Sequence, residues 1–275
     1  IEKVTNDTYL KVFQNNLFDT HTLLKPDSLS TMNSYIAMYF DQESQNFSTG
    51  IQVYEKLGTK HSDRYQYTFP YYNLSKDLTS LITDYSNYGT INFSSSGSNH
   101  LKDTNNLVTT ISNSLNYSSP DFISNLGFKN RFNFYIKNSN TIGKNDSIYT
   151  SSAQIDGKSM MIFDTEFPLT KNKGTSIESL TPRISFRVNP GNNMSDHSNK
   201  SRAVDIGNVF DLNRLGLSND YEAGRSFTLG LGYKYDPIEL NKDEDTKDKY
   251  IDFNLATVLR DQVENEIPSN STINR

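Results

Sequence analysis

The 275-residue chain has no cysteine and no tryptophan. The lack of cysteine excludes disulfides, thiol catalysis and metal sites with cysteine ligands. Long hydrophobic runs are also missing, since the longest apolar or aromatic stretch covers residues 35–40 and a membrane-spanning helix needs about 20 such residues. A bundle of transmembrane helices is therefore excluded. A transmembrane β-barrel is not, because its alternating strands can have the mean hydropathy of a soluble protein.

A basic surface is missing too. The net charge is -5, which disfavours a nucleic-acid partner. The histidines are far apart in the sequence, without the spacing of a metal site. No Gly-x-Ser-x-Gly motif of a serine hydrolase occurs. We therefore expect no catalytic residue, no cofactor and no metal ligand, and we predict that the chain is not an enzyme.

The feature that repeats along the chain is a short segment in which apolar and polar residues alternate. The strongest examples are residues 131–137, 183–188, 227–235 and 251–257, and residues 35–40 are apolar or aromatic on both faces. Such alternation predicts strands with one set of side chains on each face of a sheet. Weaker examples bring the expected total to about a dozen strands. These weaker segments are residues 9–14, 49–57, 64–73, 88–95, 107–117, 148–155 and 160–169.

Residues 74–85 have helical spacing of leucine and isoleucine instead, which predicts a short helix. Turn-forming residues are concentrated at 138–145, 189–200 and 236–249. The last of these stretches also carries a run of charges, which is typical of a solvated loop.

A dozen alternating strands are compatible with several architectures. A sandwich of this length would form two domains, and a solenoid would show a repeat period, and the sequence has neither signal. A membrane barrel places aromatic residues near strand ends, where Tyr117, Tyr233 and Tyr235 lie. Tyrosine is also a good strand residue in soluble proteins. The pattern alone therefore leaves both a membrane barrel and a soluble β-protein open.

Four stretches carry a family resemblance. Residues 180–191 (LTPRISFRVNPG) are followed by 208–216 (NVFDLNRLG), 221–233 (YEAGRSFTLGLGY) and 254–260 (NLATVLR). In this order and spacing they resemble segments of the LptD (OstA) family of outer-membrane proteins, which assemble lipopolysaccharide (LPS). Looser similarity at 4–10 and 65–70 extends the resemblance to most of the chain. Ala223 departs from the family pattern, which has glycine there.

The resemblance implies an all-β fold, an incomplete antiparallel transmembrane β-barrel that takes up residues 1–275 and supplies about a dozen strands of a larger barrel. It implies an integral protein of the bacterial outer membrane that inserts LPS into the outer leaflet. Its partners would be LPS and outer-membrane lipid, with a plug lipoprotein and a periplasmic LPS bridge in many family members. We expect a piece of a longer protein, without the family's periplasmic jellyroll, signal peptide and closing strands.

Two groups of site residues follow. If the apolar faces meet lipid, the cations on the opposite faces point into the lumen, where they could contact LPS phosphates or serve only as polar lining that acids neutralise. These candidate contacts are Arg131, Lys137, Arg183, Arg187 and Lys234, with Arg260 on the same kind of face. The second group holds family-like motif positions, for which we expect structural roles. Its members are Pro182, Pro190, Gly191, Asn213, Arg214, Glu222 and Gly224.

Two other functions remain compatible with the sequence. One is a porin-type or other outer-membrane channel, which would conduct solutes without affecting LPS. The other is a secreted β-rich carbohydrate-binding protein, which would be soluble without detergent.

Overall fold

The computed structural model describes residues 2–14, 28–59, 64–79, 88–191, 202–217, 221–238, 250–261 and 267–273. The chain forms two compact units. The first comprises Ile1–Leu78, Asn92–Leu115 and Lys137–Gly157. The second comprises Thr79–Ile91, Asn116–Ile136 and Lys158–Arg275.

A single-turn helix, α1 (Tyr9–Val12), precedes the strands. Within the described ranges the strands are β1 (Thr31–Gln42), β2 (Gln45–Lys56), β3 (Tyr65–Asp77), β4 (Thr90–Lys102), β5 (Asn106–Ser118), β6 (Phe122–Ile123), β7 (Lys129–Lys144), β8 (Gln154–Glu166), β9 (Leu169–Asn172), β10 (Ser176–Asn189), β11 (Gly224–Pro237) and β12 (Ile251–Arg260). Their hydrogen-bonded order is β1-β2-β3-β4-β5-β7-β8-β10-β11-β12, with β6 on β7 and β9 on β10. The prediction of an all-β antiparallel chain with about a dozen strands is confirmed. The sheet formed by the described strands is open, and its completion into a barrel stays a prediction.

All of the strongest alternating segments lie in strands, as do most of the weaker ones. The strand predicted at 9–14 is wrong. Its first residues form α1, because one helical turn is enough to bury Leu10 against Met32 and Leu57.

The strand predicted at 148–155 is wrong over most of its length, since β8 begins only at Gln154. The Asp146 carboxylate accepts the backbone N–H groups of Ile148 and Tyr149 at 2.8 and 3.0 Å, which fixes a loop there. These bonds, together with one from the Asn106 side chain, lower the pKa of Asp146 to about 2.

The helix predicted at 74–85 is wrong at its start, because residues 74–77 complete β3 between β2 and β4. Residues 80–85 lie outside the described residues. The turn predicted at 138–145 is wrong as well, because β7 extends through Lys144. Its asparagines are satisfied inside the sheet, where the Asn140 amide donates to Asn138 Oδ1 at 2.6 Å. The turns predicted at 189–200 and 236–249 lie mostly outside the described residues.

The strands of the second unit have one apolar and one polar face. Residues directly opposite each other on neighbouring strands share a face, so the ladders of β8, β10, β11 and β12 define rows across the sheet. One apolar row is Phe163, Phe186, Phe227 and Leu259. The next rows along the strands are Ile184, Leu229 and Thr257, then Pro182, Leu231 and Leu255, then Leu180, Tyr233 and Phe253. The apolar face therefore carries aliphatic rows between aromatic ones.

The polar face of β10–β12 is covered by residues 202–217. Val209 and Leu215 from this segment pack against Val258 of β12 and are almost completely buried. Ile267 joins the same cluster, and the backbone N–H of Thr272 donates to the carbonyl of Val204 at 3.1 Å. The core of this unit therefore lies on the face of the sheet that carries the polar residues.

A glycine permits close packing of this segment. A Cβ atom at Gly230 would lie 2.5 Å from the ring of Phe210, which is closer than such carbon atoms approach. Gly230 thus lets the Phe210 ring rest on the backbone of β11.

The first unit has an ordered N-terminal segment at one end of β1–β3. The Arg64 guanidinium makes a bidentate pair with Asp7 at 2.7 and 3.0 Å and also donates to Glu55 at 2.7 Å. The Glu2 carboxylate accepts the backbone N–H of Asn33 in β1 at 2.8 Å. Residues 2–13 therefore bind to the end of the sheet through both charge and the small core around Leu10.

Candidate functional site

The polar face of the second unit contains a buried ion network. The side chain of Arg214 is fully buried, and its guanidinium forms a bidentate pair with Glu222, whose side chain is 6% exposed. Arg214 also donates to Thr228 Oγ1 at 3.0 Å and to Ser226 Oγ at 2.8 Å, both on β11. Arg260 Nε of β12 donates to the same Glu222 carboxylate at 3.1 Å. The Arg214–Glu222 pair therefore joins the covering segment to two strands, to β11 through Arg214 and to β12 through Glu222.

The charge state of Glu222 is set by opposing effects. Burial alone would raise the pKa of Glu222, but the hydrogen bonds from Arg214 and the charges of Arg214, Arg260 and Arg187 hold it below its usual value. The carboxylate is therefore ionised at neutral pH. The hydrogen bonds of this network join protein groups to one another, so its role is structural.

A pH titration measures the contribution of this carboxylate. A lowered pKa in the folded state means that Glu222 stabilises the fold above the usual carboxyl pKa of 4.5 and that this stabilisation disappears as the pH falls below it. Glu222→Gln is expected to be less stable at pH 7 and to lose less stability between pH 5 and pH 3. Other carboxylates with lowered pKa values, such as Asp7, contribute equally to both proteins. A difference in unfolding free energy that does not change with pH would contradict the assignment.

Arg187 lies beside this network under the same segment. Its guanidinium donates to the backbone carbonyls of Asp211 at 2.6 Å and Leu212 at 3.2 Å, and the residue is 2% exposed. Arg187 of β10 thus holds the 202–217 segment by donating to the backbone carbonyls of that segment. A ligand in the solvent would have to displace this segment to reach the guanidinium.

A second group of charges lines an open cavity of about 240 Å³. Arg131 pairs with Asp121 at 2.7 Å, and Lys129 contacts Asp121 at 3.2 Å and Glu166 at 3.0 Å. Burial raises the pKa of Asp121, but the hydrogen bonds from Lys129 and Arg131 lower it by more. The pKa of Asp121 is therefore below its usual value. Arg183 completes the lining. With Asp164, the cavity is therefore lined by three cations and three carboxylates.

Arg183 also borders a neighbouring cavity of about 350 Å³, which Glu166 shares. Its guanidinium carbon lies 4.2 Å from the centre of the Phe210 ring, a cation–π distance. We call the first cavity, which is lined by charged residues of both signs, the charged groove; the second is lined partly by apolar residues such as Leu231 and Leu255.

Two predicted contacts lie elsewhere. Lys137 belongs to the first unit. Lys234 is about half exposed, pairs with Asp236 at 3.3 Å and lies 5.9 Å from the centre of the Tyr250 ring. The structure therefore brings Arg131 and Arg183 together in the charged groove and places Arg187 beneath the 202–217 segment.

Of the family-like motif positions, Asn213 and Arg214 belong to the covering segment and Glu222 pairs with Arg214. Asn213 closes the end of this segment, accepting the backbone N–H of Leu217 at 2.8 Å and donating to the Leu217 carbonyl at 2.7 Å. Pro182 lies opposite Leu231 on the apolar face. Pro190 and Gly191 follow β10, and Gly224 begins β11 with a φ of 78°, a conformation that favours glycine.

Sequence reasoning missed several residues of these sites. Asn189 is buried and donates to the carbonyls of Tyr221 and Glu222 at 3.3 and 3.1 Å, which ties the end of β10 to the start of β11. Its position beside the Pro-Gly pair was the available signal. Asp121 and Lys129 had no signal, because their partners come from different strands.

Within the described ranges no three histidine, aspartate or glutamate side chains are close enough to hold a metal ion. Among the same residues no helix is long and apolar enough to cross a membrane.

No protein-family model matches the chain, and no curated protein matches its sequence.

Proposed function

We propose that this chain is part of an integral outer-membrane β-barrel that delivers LPS to the outer leaflet. One observation carries the membrane assignment: the polarity of the second unit is opposite to that of a soluble sheet. Leu255 and Phe253 are 59% and 55% exposed on one face, while Ser185 and Thr228 are fully buried on the other. In water, this arrangement would expose the apolar rows and bury the polar ones, contrary to the hydrophobic effect.

The dimensions of the apolar face support a bilayer contact. Residues 227–235 span nine positions of β11, and a transmembrane strand needs about 9–11 residues. The aromatic row that includes Phe227 and the row that includes Tyr233 border the aliphatic rows of Leu229 and Leu231. Aromatic girdles at the two interfaces of an apolar band are typical of outer-membrane barrels.

The β4 and β5 strands carry hydroxyl groups where the strands of the second unit carry apolar rows. In the first unit Ser94 and Ser114 contact each other at 2.7 Å, and Ser95 donates to Asn113 at 2.7 Å. Adjacent residues of β4 therefore carry hydroxyl groups on both faces. Hydrocarbon cannot solvate such groups. We therefore place this part of β4 and β5 in water outside the bilayer.

The assignment of LPS as substrate is supported by the family resemblance and by the charged groove. Arg131, Lys129 and Arg183 are cations of the kind that bind phosphate groups, and the neighbouring carboxylates would exchange partners as a phosphorylated lipid passes. No covalent step is involved. Outer-membrane lipid, a plug lipoprotein and a periplasmic LPS bridge are the partners that this function requires, and nucleic acid is not.

In-cell photo-crosslinking tests the proposal. A photoreactive amino acid is placed at Arg131 in the charged groove and, as the matched control, at Leu255 on the apolar face. Outer-leaflet LPS surrounds a barrel, so both positions are expected to give LPS adducts during growth. When the supply of new LPS is blocked, the adduct at position 131 is expected to disappear and the adduct at position 255 to persist.

The outcomes separate the alternatives. Lipid adducts at 255 without any LPS adduct at 131 would support a porin-type channel in place of an LPS conduit. Absence of lipid adducts at both positions, in a protein that fractionates without detergent, would contradict the membrane assignment itself.

A further inference from the structure

A shallow groove of about 460 Å³ lies on one face of β1–β4 in the first unit. The strand ladders place its polar side chains in two parallel rows. The first row is Tyr39, Ser48, Asn73 and Ser96, and the second row is Asp41, Asn46, Ser75 and Ser94. Directly opposite residues share a face, so all these side chains point to the same side. We call this surface the hydroxyl–amide groove.

The hydrogen-bonding groups of the groove are only partly used within the protein: Ser94 contacts Ser114 at 2.7 Å, and the Asn46 amide donates to Asp41 at 3.3 Å. Asn73 contacts Ser48 only at 3.4 Å, the long limit of a hydrogen bond. Asp41, Asn46 and Ser75 are exposed. Amide and hydroxyl groups both donate and accept, which suits a ligand whose hydroxyl groups also do both.

An aromatic ring stands at the edge of these rows. Tyr39 is 67% exposed and lies near the end of β1, whose backbone is paired only with β2. Exposed tyrosine provides an apolar ring face beside a polar surface. The C–H groups on one side of a sugar ring complement such a face, and its hydroxyl groups complement the amides.

The charges of the groove argue against a phosphate ligand. Its lining residues include the carboxylate of Asp41 and no lysine or arginine. A phosphate would meet a negative charge without a compensating cation. The charged groove of the second unit differs in this respect, because three cations line it beside three carboxylates.

We propose that the hydroxyl–amide groove binds an uncharged stretch of polysaccharide, and, resting on the proposed function, that this is the sugar portion of LPS. Tyr39 stacks on a sugar ring, and Asn73 and Asn46 bind its hydroxyl groups.

Binding of delipidated polysaccharide to the detergent-solubilised full chain tests this inference. The probe is the polysaccharide released from LPS by mild acid, and affinity is measured by calorimetry. Tyr39→Ala is expected to weaken binding at least about fivefold, and Asn73→Ala about tenfold. Tyr35→Ala is the matched control, because Tyr35 lies on the same face of β1, is 58% exposed and does not line the groove.

All three side chains are exposed, so their removal is expected to leave the fold intact, which circular dichroism checks. Selective loss in Tyr39→Ala and Asn73→Ala supports the groove. No binding by the unaltered chain, or an equal loss in Tyr35→Ala, overturns it. LPS delivery measured by crosslinking at position 131 is a separate readout: polysaccharide binding without delivery keeps the groove and removes the proposed function, and delivery without polysaccharide binding does the reverse.

Discussion

Replacing Arg214 with alanine is expected to lower the free energy of unfolding by about 3–5 kcal/mol, the usual cost of breaking a buried ion pair. The guanidinium has no exposed surface and pairs with Glu222 while also bonding Ser226 and Thr228. Its removal leaves the carboxylate buried with fewer partners and leaves two hydroxyl groups unsatisfied. The 202–217 segment is expected to detach, which is measured by denaturant unfolding and by limited proteolysis within the segment.

Arg225→Ala is the matched control for this experiment. Arg225 is an arginine of the same part of the chain that also contacts a carboxylate, but its side chain is 70% exposed and the distance to Asp261 is 3.7 Å. Exposed ion pairs contribute about 0–1 kcal/mol. Similar losses in the two variants would mean that the buried network does not hold the segment, and protease resistance of residues 202–217 in Arg214→Ala would mean the same.

Much of the fold could be predicted from the sequence because β-strands with two different faces leave a period of two. The strand containing Phe227, Leu229 and Leu231 is the clearest case, and the structure extends it to Gly224–Pro237. The period does not determine which face is covered. The covering of the Ser226 and Thr228 face depends on residues 202–217, whose packing is set by tertiary contacts and has no local signature.

Errors arose where side chains satisfied each other across strands. Asn138 and Asn140 are typical turn residues, yet they lie within β7, because Asn113 of β5 donates to Asn138 at 3.2 Å. Residues 9–14 alternate too weakly to overcome the burial of Leu10. Local sequence patterns therefore predict strands reliably where one face is continuously apolar. They fail where the structure of a segment depends on polar contacts between strands, as in β7, or on the burial of one residue, as at Leu10.

The sites were predictable to a different degree. The motif resemblance drew attention to Arg214 and Glu222 as a structural network, and the structure pairs them. It did not separate Arg187, which is buried among carbonyl groups, from Arg131, which lines an open cavity. Both are cations on alternating strands, so their different surroundings follow only from which segment lies above each strand.

The two grooves differ in the contacts that form them. The charged groove depends on ion pairs between residues far apart in sequence, such as Lys129 with Glu166. The hydroxyl–amide groove depends on short polar side chains in direct register, such as Ser48 with Asn73. If the apolar face of the second unit lies in the bilayer as proposed, it is shielded from water, and that face is therefore the most informative place for a substitution.

Leu255→Arg is expected to destabilise the chain in lipid vesicles by about 2–4 kcal/mol if its row lies near the bilayer midplane, with a smaller loss nearer an interface. Leu255 lies opposite Leu231 in the aliphatic rows between the aromatic ones, which favours the larger value. In water the substitution is expected to change stability little, because Leu255 is 59% exposed. An arginine at this position would also make the protein more soluble. The size of this effect therefore separates a membrane sheet from a soluble one.

The neighbouring residue supplies the control. Asn254 is exposed on the other face of β12, where it is the cross-strand partner of Gly232. Asn254→Arg is therefore expected to change stability by no more than about 0.5 kcal/mol. Because the chain has no tryptophan, the same two positions can carry a single fluorescent reporter. Brominated lipid tails are expected to quench Leu255→Trp and to leave Asn254→Trp bright. Equal quenching at both positions, or equal tolerance of arginine, would show that the apolar rows do not contact lipid.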